Sequence, residues 1–174
     1  LEELCGSADA MGDVVLAGRT DAAIAHELLE ASGMEPTPEA VTSLIDAYLH
    51  QLAVRLPMHP GGVLPGIVRI LERLADSPSA VTGLLTGNVE RGAKLKLTHY
   101  GVWHYFTFGA YADDHHDRNE LGKVAMRRAH QTHAEEFPPE RIYIIGDTPR
   151  DIECGKVIGA KTVAVATGDY SIAE

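Results

Sequence analysis

The chain has 174 residues, 45% of them hydrophobic, and a formal net charge of −10. That length suits one domain, or one domain with a small insert, around a true core. The acidic balance opposes nucleic-acid binding, no Lys/Arg run suits an anionic membrane, and no apolar stretch reaches the length of a membrane span.

The first residues, "LEELCGSADA", lack the basic start and apolar centre of a signal peptide. Cys5 and Cys154 form neither a disulfide framework nor a zinc quartet, which fits a reducing cytoplasm. A short "DVVL" at 13–16 is the one strand-like run of the first third. From Asp21 to about Leu56 the pattern is helical. Ile24, Leu28 and Leu29 share a face, Gly33 suits a helix end, and Pro38 suits a first turn. Val41, Leu44, Ile45, Tyr48, Leu49 and Leu52 recur at spacings of three and four, as in an amphipathic helix. Residues 56–66, "LPMHPGGVLPG", break the period with clustered Pro and Gly and read as a linker. Residues 1–58 are therefore expected to form a helical module and 59–174 an α/β core.

Beyond the linker, helical and strand patterns alternate. Helices are expected at 67–75, 88–101, 119–133 and 151–158, and strands at 80–86, 105–111, 142–147 and 161–167. Alternation implies parallel pairing with helices on both faces, and the continuous apolar strands imply burial on both sides. The fold class is α/β with a Rossmann-like parallel sheet.

In open parallel sheets ligands lie beyond the C-terminal strand ends. "LLTGN" sets Thr86, Gly87 and Asn88 there, where a hydroxyl and helix amides can donate to a phosphate; a plain helix cap is the alternative. "DDHHDRNELGK" follows the next strand. His115 and His116 read as solvated loop, while Arg118 or Lys123 can neutralise an anion. "IYIIGDTPRD" ends in Asp147 and Asp151, hard oxygen donors suited to Mg²⁺, which takes few protein ligands. Each acid alone also suits a turn or a helix N-terminus. Thr20 or Asp21 suits an N-cap, and Arg19 beside them could face a substrate anion.

These strings resemble the haloacid dehalogenase (HAD) superfamily of hydrolases. "LLTGN" resembles its second motif, whose Ser or Thr contacts the phosphoryl group. "GDTPRD" resembles its fourth, which binds Mg²⁺. Arg118 or Lys123 stands for the basic residue of the third, Arg118 being nearer the strand end, although the family's Lys-Pro pairing is absent. The helical first third resembles the cap of phosphoglycolate-phosphatase-like members. The first motif, Asp-x-Asp at the end of a central strand, is absent: Asp9, Asp13 and Asp21 lack that setting. By resemblance that strand lies between those ending at Thr86 and Asp147, so a gap is expected there. "SIAE" at 171–174 reads as a capping box whose helix does not follow.

The resemblance thus implies a Mg²⁺-dependent phosphatase of a small phosphorylated metabolite, with Thr86, Gly87, Asn88 and Arg118 or Lys123 around the phosphoryl group. Asp147 and Asp151 would be at the metal, and Arg19 at the substrate. The nucleophilic aspartate would lie upstream, and the 174 residues alone are expected to give no turnover. Two alternatives stand: a 2-haloacid dehalogenase, indifferent to EDTA, and an inactive binding or regulatory protein of the same fold. Neither a nucleic-acid nor a membrane partner is expected, and substrate identity and oligomeric state are not readable.

Overall fold

A computed structural model describes residues 18–168 and 170. "DVVL", Cys5, Asp9, Asp13 and the 171–174 capping box lie outside them. The described residues open with two helices, α1 (Asp21–Ala31) and α2 (Pro38–Arg55). Thr20 caps α1 by accepting from the Ala23 amide, and Thr37 caps α2 by accepting from the Ala40 amide, with Pro38 in the first turn. Gly33 (φ +73°) ends the α1 segment in the left-handed conformation that a side chain would resist. The two helices close around Ala25, Leu28, Leu29 and Leu44, with Ile24, Val41 and Ile45 packed against them.

After a 3-10 turn at Leu56–Met58 and an irregular stretch comes α3 (Ile67–Ala75), matching the expected bounds. Then follow β1 (Gly83–Leu85), α4 (Glu90–His99), β2 (Phe108–Ala110), α5 (Arg118–His133), β3 (Tyr143–Gly146), α6 (Pro149–Val157) and β4 (Lys161–Ala164). The architecture is mixed α/β, and every strand pair is parallel. The strands are shorter than the apolar runs that announce them. A strand needs a partner, and β1 and β2 face each other only over Gly83–Leu85 and Phe108–Ala110. The aromatic start of the second run, Trp103–Tyr105, is a 3-10 turn instead.

Among the described residues β1 pairs with β2 and β3 with β4, and no ladder joins the two pairs. The division falls where the resemblance puts the absent central strand. The halves meet through α5 and α6. Gly122 of α5 is what lets them approach: a Cβ there would lie 3.0 Å from Cys154 Sγ and 3.1 Å from Ile158. Cys154, fully buried, donates its thiol proton to the Arg118 carbonyl across the same interface.

One expectation needs correction. The strands were to be buried on both faces, yet Tyr143 is 57% and Ile145 60% exposed on β3, and Val163 of β4 is exposed as well. Helix α6 covers the other face, where Gly155 leaves no space for a side chain beside Ile144 and Thr162. Ile67 and Ile70 of α3 are exposed too. Apolar run length reports capacity for burial; actual burial needs a covering layer.

Candidate functional site

Of the sequence-derived candidates, Thr86 directly follows β1 and Asp147 directly follows β3, while Arg118, Lys123 and Asp151 stand on the helices beyond. Thr86 extends the β1–β2 ladder by one bond, its amide donating to the Ala110 carbonyl at 3.1 Å. Its hydroxyl oxygen accepts from the Asn88 amide at 3.2 Å. Gly87 is buried, and its carbonyl accepts from the Asp21 amide at 2.6 Å. A side chain at Gly87 would overlap the Arg19 carbonyl, so glycine here serves close backbone approach.

Two of the amides that open α4, those of Val89 and Glu90, are already in use. The Asp21 carboxylate accepts from the Val89 amide at 2.8 Å and from Asn88 Nδ2 at 3.1 Å. Asp113 accepts from the Glu90 amide at 2.6 Å. Two carboxylates therefore occupy the positive end of this helix. That takes two of the helix amides the sequence offered to an anion, while the Thr86 hydroxyl keeps its proton to donate. Sequence reasoning missed this use of Asp21, because its partners lie 67 and 68 residues away.

Behind β2, Asp114 accepts two bonds from Arg128, at 2.6 and 2.7 Å, and one from the Tyr111 amide at 2.9 Å. Burial, with the Glu90 charge adding to it, pushes the Tyr111 hydroxyl pKa upward. His115 and His116 stack with ring centroids 4.5 Å apart on a polar loop, as the bland reading held.

Arg118 opens α5 and forms an ion pair with Asp151, the latter only 4% exposed. Arg118 Nε is buried and has no hydrogen-bond partner among the described residues. Lys123, by contrast, bonds Glu120 at 2.6 Å on the exposed flank of α5 and does not line the cavity described below. Of these two, only the arginine lines that cavity, together with Arg19 and Arg150.

The two acids of "GDTPRD" part company. Asp151 Oδ2 accepts from the Thr148 amide at 3.0 Å and the Thr148 hydroxyl at 2.8 Å, while Oδ1 meets Arg118. It is a capping-box acid with both oxygens engaged, the role offered by the sequence as its alternative. Asp147 leaves β3 half-buried, with one oxygen accepting weakly from Thr167 at 3.4 Å and Gly168 beside it. Its other oxygen has no bond recorded within the described residues. Gly146 gives the turn its tightness, since a Cβ there would collide with the Asp151 carboxylate.

The strand-end turns of the two halves lie close together. Gly18 (φ +69°) packs on Arg150 and Thr148, a hypothetical Cβ lying 2.8 and 2.9 Å from them, while three residues later Asp21 bonds Gly87. Three residues span at most about 11 Å, so the Thr86–Asn88 turn and the start of α6 are held near one another. Beside them is a cavity of about 100 Å³ lined by Arg19, Thr20, His116, Arg118, Arg150 and Glu153, among others; Thr86, Gly87, Asn88 and Asp147 do not line it. Arg19 pairs with Glu27 at its rim. Among the described residues no cluster of three or more His, Cys, Asp or Glu could hold a metal by protein ligands alone. The donors suit an ion that takes one or two carboxylates and keeps its waters.

Residues 119–174 match the model of the HAD-hydrolase-like family. The match takes in Lys123, Asp147 and Asp151, and begins one residue after Arg118. No curated protein matches the chain, and no helix of the described residues is long and apolar enough to cross a membrane.

Proposed function

We propose, from the premise that residues 119–174 are HAD-like hydrolase sequence, that the chain carries the phosphate- and metal-binding side of a phosphate-monoester hydrolase acting on a small phosphorylated metabolite. The observation that supports this reading is the 18–21 segment, which touches Thr148 and Arg150 at Gly18 and bonds Gly87 at Asp21, and so keeps the two strand-end turns near each other and near the cavity that Arg118 lines.

In this reading Asp147 holds Mg²⁺ with water completing the shell, and Asp151 supports it by fixing Thr148 and Arg118. The ion, when bound, would supply positive charge against the phosphoryl oxygens. Thr86 donates its hydroxyl proton to one of those oxygens from the turn that Gly87 and Asn88 shape. Arg118, anchored by Asp151, adds a fixed charge in a site where little reorganises. Arg19 faces the rest of the substrate from the N-terminal side of α1. The attacking carboxylate enters on a strand seated between β1 and β3, and the α1–α2 module acts as the cap over the site. The buried, free thiol of Cys154 suits a reducing compartment such as the cytoplasm.

Magnesium and inorganic phosphate titrations followed by amide NMR test the reading. Mg²⁺ should shift Gly146–Thr148 and phosphate should shift Thr86–Asn88. Asp147→Asn should abolish the first response and Thr86→Ala the second. Binding of phosphate with no response to Mg²⁺ at Asp147 would favour a metal-independent relative instead.

A further inference from the structure

We propose that Asp21 is a positioning residue: it ties the shape of the Thr86–Asn88 turn to the seating of α1 and α2 on the core. The inference rests on the reading of that turn as a phosphate holder. Asn88 is gripped from two sides. Its Nδ2 donates to Asp21 at 3.1 Å, and its Oδ1 accepts from Lys96 Nζ at 3.1 Å. Lys96 in turn stands 5.7 Å from the ring centroid of Tyr48, on α2. Both grips therefore lead back to the helical module, one through α1 and one through α2.

The same contact fixes the backbone. The Asp21 amide donates to the Gly87 carbonyl at 2.6 Å, and its carboxylate takes the Val89 amide at 2.8 Å. Asp21 thus brackets Asn88, whose own amide donates to the Thr86 hydroxyl oxygen. That bond leaves the hydroxyl free to give its proton to an anion. Leu49 of α2 packs on Val89 and Ala112 and keeps water from the bracket, and Thr20 next door is 1% exposed. A charged acceptor in such a site holds its donors firmly. If the module lifts, Gly87, Asn88 and Val89 lose partners together, and the turn loses its fixed shape.

The test uses the full chain and inorganic phosphate. In Asp21→Ala the phosphate dissociation constant should rise about tenfold, the worth of one charge-assisted bond, and hydrogen exchange at Val89 should quicken. Asp21→Asn keeps one acceptor and should fall between. Lys96→Ala loosens Asn88 from the other side without touching α1, and should weaken phosphate in the same direction. It serves if Asp21→Ala does not fold. Asp46→Ala removes the exposed Arg91–Asp46 pair between the same helices and should leave phosphate binding unchanged. Equal phosphate affinity in wild type and folded Asp21→Ala overturns the positioning role alone. An equal loss in Asp46→Ala also overturns it, because seating in general would then suffice. A wild type that ignores phosphate, with Val89 exchange still quickened in the variant, overturns the phosphatase reading and this inference with it.

Discussion

The two strand pairs differ in how they are finished. The β1–β2 half is buried at the end of β2, where Ala110 is fully buried and Tyr111 and Ala112 nearly so; β1 is half-buried throughout, and the turn after it is braced by carboxylates from two other segments. The β3–β4 half is covered by α6 on one face and leaves Tyr143, Ile145 and Val163 exposed on the other. Its turn leaves Asp147 half-buried, with one weak bond from Thr167. Both halves arise from the same local signal, an apolar run followed by a Gly-containing turn and a helix. The difference teaches that a parallel pair is only half a layer. What completes it is another strand or helix, and β3–β4 has a partner for one face alone.

The sharpest way to break this comparison is to cut the tie between the halves. Asp151→Ala removes the buried partner of Arg118 and the α6 capping box together. It should cost about 3–5 kcal/mol, because a buried guanidinium is left without its counter-charge. Urea denaturation measures it; a loss under 1 kcal/mol would mean the pair is effectively solvated. Next comes a matched pair of apolar truncations. Leu121, at 0% exposure on the helix shared by both halves, should lose about 2–5 kcal/mol as Leu121→Ala. Ile145→Ala, on the exposed face, should lose well below that range. Equal losses would show that something covers β3 in solution.

Thr20→Ala tests how the N-terminal helices are tied on. Thr20 caps α1 and donates to the His116 carbonyl at 2.9 Å. The variant should lose about 1–2 kcal/mol, read as a lower thermal midpoint.

The smallest effect is alkaline. Burial raises the Cys154 and Tyr111 pKa values above their ordinary 9.0 and 10.0. Each group then holds its proton more tightly folded than unfolded. Their stabilisation is full below pH 9.0 and is lost as pH rises through the unfolded values toward the raised native ones. Stability measured from pH 8 to 11 should therefore fall, and Cys154→Ala should flatten the first part of that decline. A rise with pH would contradict the burial of both groups.

Much of the fold was legible because its signals are local. Helical spacing from Val41 to Leu52 and the Pro38 and Gly33 signals gave α1 and α2, and the α3 bounds needed no revision. Strand lengths were overestimated, because apolar runs such as "YFTFGAY" serve turns as well as ladders. At the site, the motif spacing led to Thr86, Arg118 and Asp147. It could not separate Arg118 from Lys123, since both follow the same strand. They differ in the direction each takes from α5: one toward Asp151, the other toward Glu120 in solvent.

By itself the sequence determined which segments are helix or strand, that the strands run parallel, and which residues stand at their ends. Propensity, periodicity and turn chemistry act within a few residues and are written in order along the chain. The tertiary structure alone decided that Asp151 is spent on Thr148 and Arg118 while Asp147 keeps a single weak bond from Thr167, and that Asp21 reaches Asn88 and Val89. Those outcomes depend on which distant groups meet and which carboxylate finds a donor first, and that is a competition among partners no local stretch contains.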